Sequence, residues 1–246
     1  TMFGSGKKIL YMVPSLALMS QSIREWKNDS KDEFTAFSAC SDVFVGKRKS
    51  SDDEIEVSLN DLAFPATTDA AELSKEVGNA DPNKMTVIFS TYQSIDVISK
   101  AQSEFGMGEF DLVICDEAHR TTGATLVGDD ESNFVRIHND EHVKASKRLY
   151  ITETPRIFGD RAKRKADEGD VTLASMDDEA TFGKTFYYRG FGWAVENNLL
   201  TDYKVVVLAV DEGIVSDRLQ RSFVEGNELK LDDATKIVGC YKALAK

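Results

Sequence analysis

Short runs that are apolar at successive positions constrain this chain most. Ile9-Leu10-Tyr11-Met12-Val13, Met85-Thr86-Val87-Ile88-Phe89 and Phe110-Asp111-Leu112-Val113-Ile114-Cys115 are each long enough for a strand and too short for a buried helix. A strand wet on one face alternates polar and apolar residues. These runs do not alternate, so both of their faces must be covered. Helix-like stretches lie between them. Pro14 closes the first run, and Ser15 can cap a helix on which Leu16, Met19, Ile23 and Trp26 share a face. Asp69 is placed to cap a short helix through Val77. Further helices are expected near Ser94 to Gln102 and near Phe134 to Ala145, and further strands over Phe34 to Ala39 and Arg148 to Ile151. Strands alternating with helices imply an α/β fold, a mostly parallel sheet with helices on both faces. In such sheets chemistry gathers beyond the carboxyl ends of the strands. That rule singles out Pro14-Ser15, Ser90-Thr91, Asp116-Glu117 and Thr152-Glu153.

Charge narrows the function classes. A net charge of -12 excludes a nucleic-acid binder that works by bulk charge, so any such contact must be local. The best local basic cluster is Arg156, Arg161, Lys163, Arg164 and Lys165, and a smaller one is Lys47-Arg48-Lys49. No apolar run approaches the roughly 20 residues of a membrane helix. No secretory signal is expected at the start. Cys40, Cys115 and Cys240 lie far apart with no paired spacing, which fits a reducing compartment. A cytoplasmic protein without a membrane partner is expected.

The remaining chain is read more coarsely. Residues 41 to 68 are polar and expected as loop, and 156 to 184, charged and Gly/Asp-rich, as an insertion or excursion. Trp193 to Leu200 reads as helix, Tyr203 to Val210 as a β-branched strand and Asp232 to Leu244 as a final helix. Trp26, Trp193 and Cys115 are expected in the core.

The stretch with the most chemistry is Asp111-Leu112-Val113-Ile114-Cys115-Asp116-Glu117-Ala118-His119-Arg120. Adjacent carboxylates at the end of a buried strand are costly unless used or paired. Asp116 can hold Mg²⁺ through water, and Glu117 can orient and deprotonate an attacking water. His119 can relay a hydrogen bond. A helix beginning after Pro14 presents free N–H groups to a phosphate, and Ser15 adds a hydroxyl. Thr91, Tyr92 and Gln93 offer donors at another strand end. His138 and His142 are spaced i, i+4 on the expected helix, a possible metal pair, although Asn139 stands where the catalytic zinc motif needs Glu.

These motifs, in this order, resemble the first motor domain of superfamily 2 helicases and translocases, with a DEAH-type motif at Asp116 to His119. Val13-Pro14-Ser15-Leu16, with Gln21 and Trp26, is similar to a backbone-contact motif, and Ser90-Thr91-Tyr92-Gln93-Ser94 resembles the next. Leu149-Tyr150-Ile151-Thr152-Glu153-Thr154-Pro155-Arg156 occupies the place of the coupling motif. The stretches Phe182-Gly183-Lys184 and Leu199-Leu200-Thr201-Asp202-Tyr203-Lys204 are similar to those of restriction-enzyme motor subunits. The resemblance implies a RecA-like fold of the P-loop NTPase type. It implies ATP and Mg²⁺ as cofactors of the intact protein and double- or single-stranded DNA as partner. Asp116 and Glu117 would be catalytic, and His119, Thr152 and Thr154 coupling residues. Pro14, Ser15, Thr91, Tyr92, Gln93 and Arg156 would meet the nucleic acid. Residues 1–200 would form most of the first motor domain, and 201–246 a linker and the start of a second, with which it would work.

Gly4-Ser5-Gly6-Lys7-Lys8 has the composition of a phosphate loop, but Lys8 replaces the hydroxyl residue such loops carry, and the stretch runs into a strand. It is expected to be the turn before Ile9, in a motor domain truncated at its N-terminus, so the isolated chain is expected to be inactive. Two other readings compete: a catalytically dead module that holds nucleic acid or a partner, and a metal-dependent hydrolase using Asp116, Glu117, His138 and His142.

Relatives of this kind carry a small residue, normally alanine, where this chain has Glu153. A third carboxylate there repels the acidic pair and weakens coupling between hydrolysis and movement. Glu153→Ala in the full-length protein is therefore expected to raise DNA-stimulated ATPase a few-fold (~2- to 5-fold). No gain in that assay would refute the expectation.

Overall fold

The computed structural model describes residues 4–40, 66–126, 132–169 and 171–202. The chain divides into two compact units, Thr1–Lys184 and Thr185–Lys246. In the first unit, β1 (Lys8–Val13) leads into α1 (Leu16–Asp29) and β2 (Phe34–Ala39). Next come α2 (Ala70–Gly78), β3 (Met85–Thr91), α3 (Ile95–Ser103) and β4 (Leu112–Cys115). After β5 (Gly123–Leu126) and β6 (Arg148–Tyr150) the chain forms α4 (Asp160–Glu168), β7 (Val171–Ala174) and α5 (Glu179–Phe182). The main sheet has the order β2-β3-β1-β4-β6, and every pairing in it is parallel. This is the mostly parallel α/β architecture the apolar runs imply, and it agrees with the RecA-like fold the family resemblance implies.

The two-sided burial read from the sequence is realised residue by residue. Leu10, Met12, Ile88 and Val113 point to the face covered by α2 and α3, where Leu73, Ile95 and Ile98 meet them. Ile9, Val13, Val87, Phe89, Leu112 and Ile114 point to the opposite face, against Met19 and Ile23 of α1. Trp26 adds an aromatic cluster on that side, with ring centroids 5.3 Å from Tyr11, 5.7 Å from Phe89 and 6.1 Å from Phe34. All residues of β3 and β4 are buried. Each large side chain so placed contributes roughly 1.5–3 kcal/mol relative to exposure.

The helix starts follow the expected caps. Ser15 Oγ accepts from Leu18 N at 3.3 Å, and Asp69 Oδ1 accepts from Ala71 N and Glu72 N at 2.7 and 3.2 Å. The glycine-rich start is a turn. Gly4 and Gly6 have φ of 112° and 73°, and Lys7 N bonds Gly4 O at 3.1 Å. Both lysines are engaged at the start of the sheet: Lys7 Nζ reaches Asp111 Oδ1 at 2.6 Å, Lys8 N donates to Asp111 Oδ2 at 2.9 Å, and Lys8 Nζ binds the Met107 carbonyl.

Three expectations need correction. Phe134 to Ala145 is not a helix but a 3-10 turn, Arg136–His138, followed by tight turns. Asn139 Oδ1 accepts from Glu141 N at 2.9 Å, a local bond that competes with helix. Arg148 then takes carbonyls a helix would need, donating to Ile137 O at 2.8 Å and Val143 O at 2.6 Å. Residues 156–184, expected as an insertion or excursion, carry α4, β7 and α5, and β7 pairs antiparallel with β5 in a sheet apart from the main one. In the second unit the helix is α6 (Phe191–Glu196), shorter than expected, and ends ahead of Asn198, whose φ is 57°. There Trp193 is not core: it is 39% exposed and stacks under the Arg189 guanidinium at 4.9 Å. Residues 41–65 of the loop expected over 41–68, the basic trio Lys47-Arg48-Lys49 and the elements expected over 203–246 lie outside the described residues.

Candidate functional site

Because the strands are parallel and adjacent, β3, β1, β4 and β6 deliver their carboxyl ends to one edge. Thr91-Tyr92-Gln93, Pro14-Ser15, Asp116 to His119 and Ile151 to Thr154 therefore lie along it in that order. The sequence motifs, far apart in the chain, are brought together by topology alone.

Asp116 is gripped from both faces of the sheet. Tyr11, from the α1 side, donates its hydroxyl to Asp116 Oδ2 at 3.0 Å. Tyr92, from the α2–α3 side, donates to the Asp116 carbonyl at 2.8 Å. The Asp116 N–H bonds Met12 O at 2.9 Å, and Asp116 Oδ1 accepts from Glu117 N at 2.9 Å. Burial, then the charge of Asp116, pushes the Tyr11 phenol above its ordinary range. Burial likewise raises the Tyr92 phenol well above its ordinary value, so both remain donors at neutral pH. Cys115, just before the pair, is fully buried, which pushes its thiol up to about 12 and makes it inert core.

Glu117 adopts a left-handed backbone, φ 49° and ψ 45°. For a residue with a Cβ this costs on the order of 1 kcal/mol or more and marks a position held by its surroundings. The hold comes next door: Ala118 N bonds Ile151 O at 2.9 Å, tying the turn to the end of β6. The reversal turns the Glu117 carboxylate toward His119, with Oε2 at 3.2 Å from Nδ1. The same nitrogen lies 3.0 Å from Thr152 Oγ1 and 3.5 Å from Thr154 Oγ1. Thr152 Oγ1 in turn accepts from Thr154 N at 3.2 Å. One ring nitrogen thus faces a carboxylate and two hydroxyls and can donate well to only one of them at a time. Glu153, between the threonines, is exposed.

The residues expected at nucleic acid divide. Thr91 is buried and paired with Ser94 Oγ at 2.8 Å, and Tyr92 is fully enclosed with its hydroxyl on Asp116. As placed, these two side chains serve the interior, because β3 is covered on both faces to its last residue. Pro14 is buried, and its carbonyl accepts from Gln93 Nε2 at 3.1 Å. Gln93 Oε1 is buried without a protein partner, and Gln93 O accepts from Asn133 Nδ2 at 3.1 Å. Ser15 and Arg156 retain surface, the latter with its guanidinium 5.0 Å over the Phe158 ring. In the basic cluster, Lys163 is paired with Asp177. Tyr11 and Asn133 went unnoticed in the sequence; the only signal for Tyr11 was one polar tip inside an apolar strand.

The histidine pair is corrected. His138 and His142 are not on a helix, and among the described residues no group of three or more His, Cys, Asp or Glu side chains could hold a metal. His138 Nδ1 lies 2.8 Å from the Tyr150 hydroxyl and Nε2 3.0 Å from Thr121 O, so both nitrogens are occupied. At Asp116 each carboxylate oxygen accepts one hydrogen bond, leaving a lone pair free. That donor set fits a cation held through water rather than by several direct ligands. Among the described residues no helix is long and apolar enough to cross a membrane.

Residues 2–157 match the family described as Type III restriction enzyme, res subunit. A probable helicase, A859L, of African swine fever virus is 28% identical over 202 residues, covering 82% of this chain and 19% of the viral protein. The ATP-dependent Type ISP restriction-modification enzyme LlaBIII, solved bound to DNA, is 39% identical with a TM-score of 0.64, over 96% of this chain and 15% of that one. A nuclease-deletion mutant of the Type ISP enzyme LlaGI, solved with a DNA substrate mimic, is 37% identical with a TM-score of 0.58, over 80% of this chain and 14% of that one. The chain thus spans 19% of the length of the curated relatives it matches. Family, fold and relatives agree on a superfamily 2 helicase motor domain.

Burial, aided by Arg148, lowers the His138 pKa below its ordinary 6.5, against the opposing pull of Thr121 O and Asp178. A folded-state pKa below the unfolded one gives stability that is complete above about pH 6.5 and is lost as pH falls toward the folded value. Unfolding midpoints in urea should therefore drop between about pH 7.5 and about pH 5, and drop less in His138→Phe. Equal drops in both proteins would show that His138 is not held neutral.

Proposed function

The chain belongs to the family of Type III restriction enzyme res subunits, and from that premise we propose that it forms the motor core of an ATP-dependent DNA helicase or translocase of a restriction-type enzyme. Residues 1–200 are assigned to one RecA-like motor domain and 201–246 to the linker into a second. The observation that carries the reading is the end of β4: an aspartate held from both faces of the sheet, at its carboxylate by Tyr11 and at its main-chain carbonyl by Tyr92, and the next carboxylate turned by a left-handed residue into the His119 node.

In this reading Mg²⁺, when bound with ATP, supplies charge neutralisation at the phosphates. Asp116 would hold it through water, its free lone pairs fixed in direction by Tyr11 and the Glu117 N–H. Glu117, the DEAH-type glutamate, would accept the proton of the attacking water. Its second role is to compete for the His119 proton with Thr152 and Thr154, which makes the node sensitive to how the arm after β6 lies. DNA contact is assigned to the surface that remains at the same edge: the α1 N-terminus at Ser15, Gln93 and Arg156. Such groups position a backbone and read no sequence. It is supported by the DNA named with both solved relatives. Gly4 to Lys8 takes no part in holding phosphate, since its lysines bind Asp111 and Met107.

The test is ATP turnover by the full-length protein with DNA present. Glu117→Gln should lower kcat by ~100-fold or more while leaving DNA binding intact. Turnover unchanged by Glu117→Gln would contradict the proposed role.

A further inference from the structure

The arm after β4 and the end of β6 are joined once more, away from His119 and from the Ala118 N–Ile151 O bond. His138 closes the 3-10 turn Arg136–His138 and reaches both. Its Nε2 lies 3.0 Å from the Thr121 carbonyl, at the end of the turn that begins with Ala118. Its Nδ1 lies 2.8 Å from the hydroxyl of Tyr150, the last residue of β6 and the one before Ile151. A carbonyl can only accept, so Nε2 carries the proton. In the neutral ring Nδ1 must then accept from the Tyr150 O–H, which fixes the tautomer. Phe182 closes the cluster edge-on, 4.8 Å from the His138 ring and 4.9 Å from Tyr150. The charged groups facing the ring are Arg148 of β6 and Asp178 at the start of α5, with Tyr150 the remaining titratable neighbour. Burial keeps the Tyr150 phenol protonated, as a donor must be.

This bridge has no part in the proposed chemistry, and its two polar bonds occupy a half-buried site where an apolar ring would pack. We propose that His138 is a positioning residue that fixes the separation of the Asp116–Thr122 and Ile151–Thr154 arms, and thereby sets which oxygen at the His119 node receives the proton when DNA engages. The inference rests on the motor reading above. Its consequence is selective: without the bridge the acidic turn keeps its anchors on Tyr11, Tyr92 and Met12 and its tie to the Ile151 carbonyl, but Thr152 to Thr154, beyond that tie, lose the support of a fixed Tyr150 and can shift against it.

The experiment is steady-state ATPase of the full-length protein, with and without duplex DNA, for His138→Phe and Tyr150→Phe. The first keeps a ring and loses both bonds; the second removes one hydroxyl and carries the test should the first fail to fold. DNA-stimulated kcat is expected to fall about tenfold in each, with basal kcat and the KM for ATP changed less than about twofold. A merely structural role would lower the thermal midpoint and leave the ratio of stimulated to basal rate unchanged. That result, in variants of a wild type that hydrolyses ATP on DNA, would overturn this proposal alone. A wild type with no DNA-dependent turnover would overturn the motor reading and this proposal together.

Discussion

The site depends on the hold that two tyrosines take on Asp116 at the end of a strand with no exposed residue. A carboxylate leaving so apolar a strand must be solvated by something. Tyr11 supplies a hydroxyl to that carboxylate and Tyr92 one to the main-chain carbonyl of the same residue, from opposite faces of the sheet, each phenol raised chiefly by its own burial. The cost of burying two phenol groups is thus offset by their use as fixed donors, and the carboxylate direction is set before any cation or nucleotide arrives. The strained Glu117 and the His119 node come directly after that anchor, and the Ala118 N–Ile151 O bond holds the turn on its far side.

Parallel pairing does the rest. With β1 between β3 and β4, and β6 outside β4, the strand ends that carry polar residues become neighbours in the order in which a phosphate site and a backbone-contact surface can share an edge. In the proposed reading, coupling between them would take a physical form: one imidazole nitrogen faces a carboxylate and two hydroxyls within 3.5 Å. A small movement of the arm after β6 would then change which of these bonds is made.

Much of the fold was legible because burial on two faces leaves a sequence record. Met85 to Phe89 and Leu112 to Cys115 read as strands for the reason they are strands, and Ser15 and Asp69 cap the helices their positions foretell. What escaped depends on distant partners. The stretch from Phe134 has helix-like spacing, but Arg148 takes its carbonyls from the other side of a loop, and Asn139 offers a local alternative. β5 is four residues long and acquires meaning only from β7, far along the chain. At the site, the acidic pair and the threonines were visible as motifs, whereas Tyr11 looked like core and Tyr92 like a surface contact. Their shared role on Asp116 is a product of register, which neighbouring residues do not encode.

The most direct test of this account is the magnesium dependence of DNA-stimulated ATP turnover in full-length Tyr11→Phe, which deletes one hydroxyl and keeps the ring packed on Trp26 and Phe89. If Tyr11 directs Asp116, half-saturating Mg²⁺ should rise by about 5- to 10-fold while the thermal midpoint moves little. An unchanged magnesium requirement would contradict the claim that the tyrosine grip organises the site.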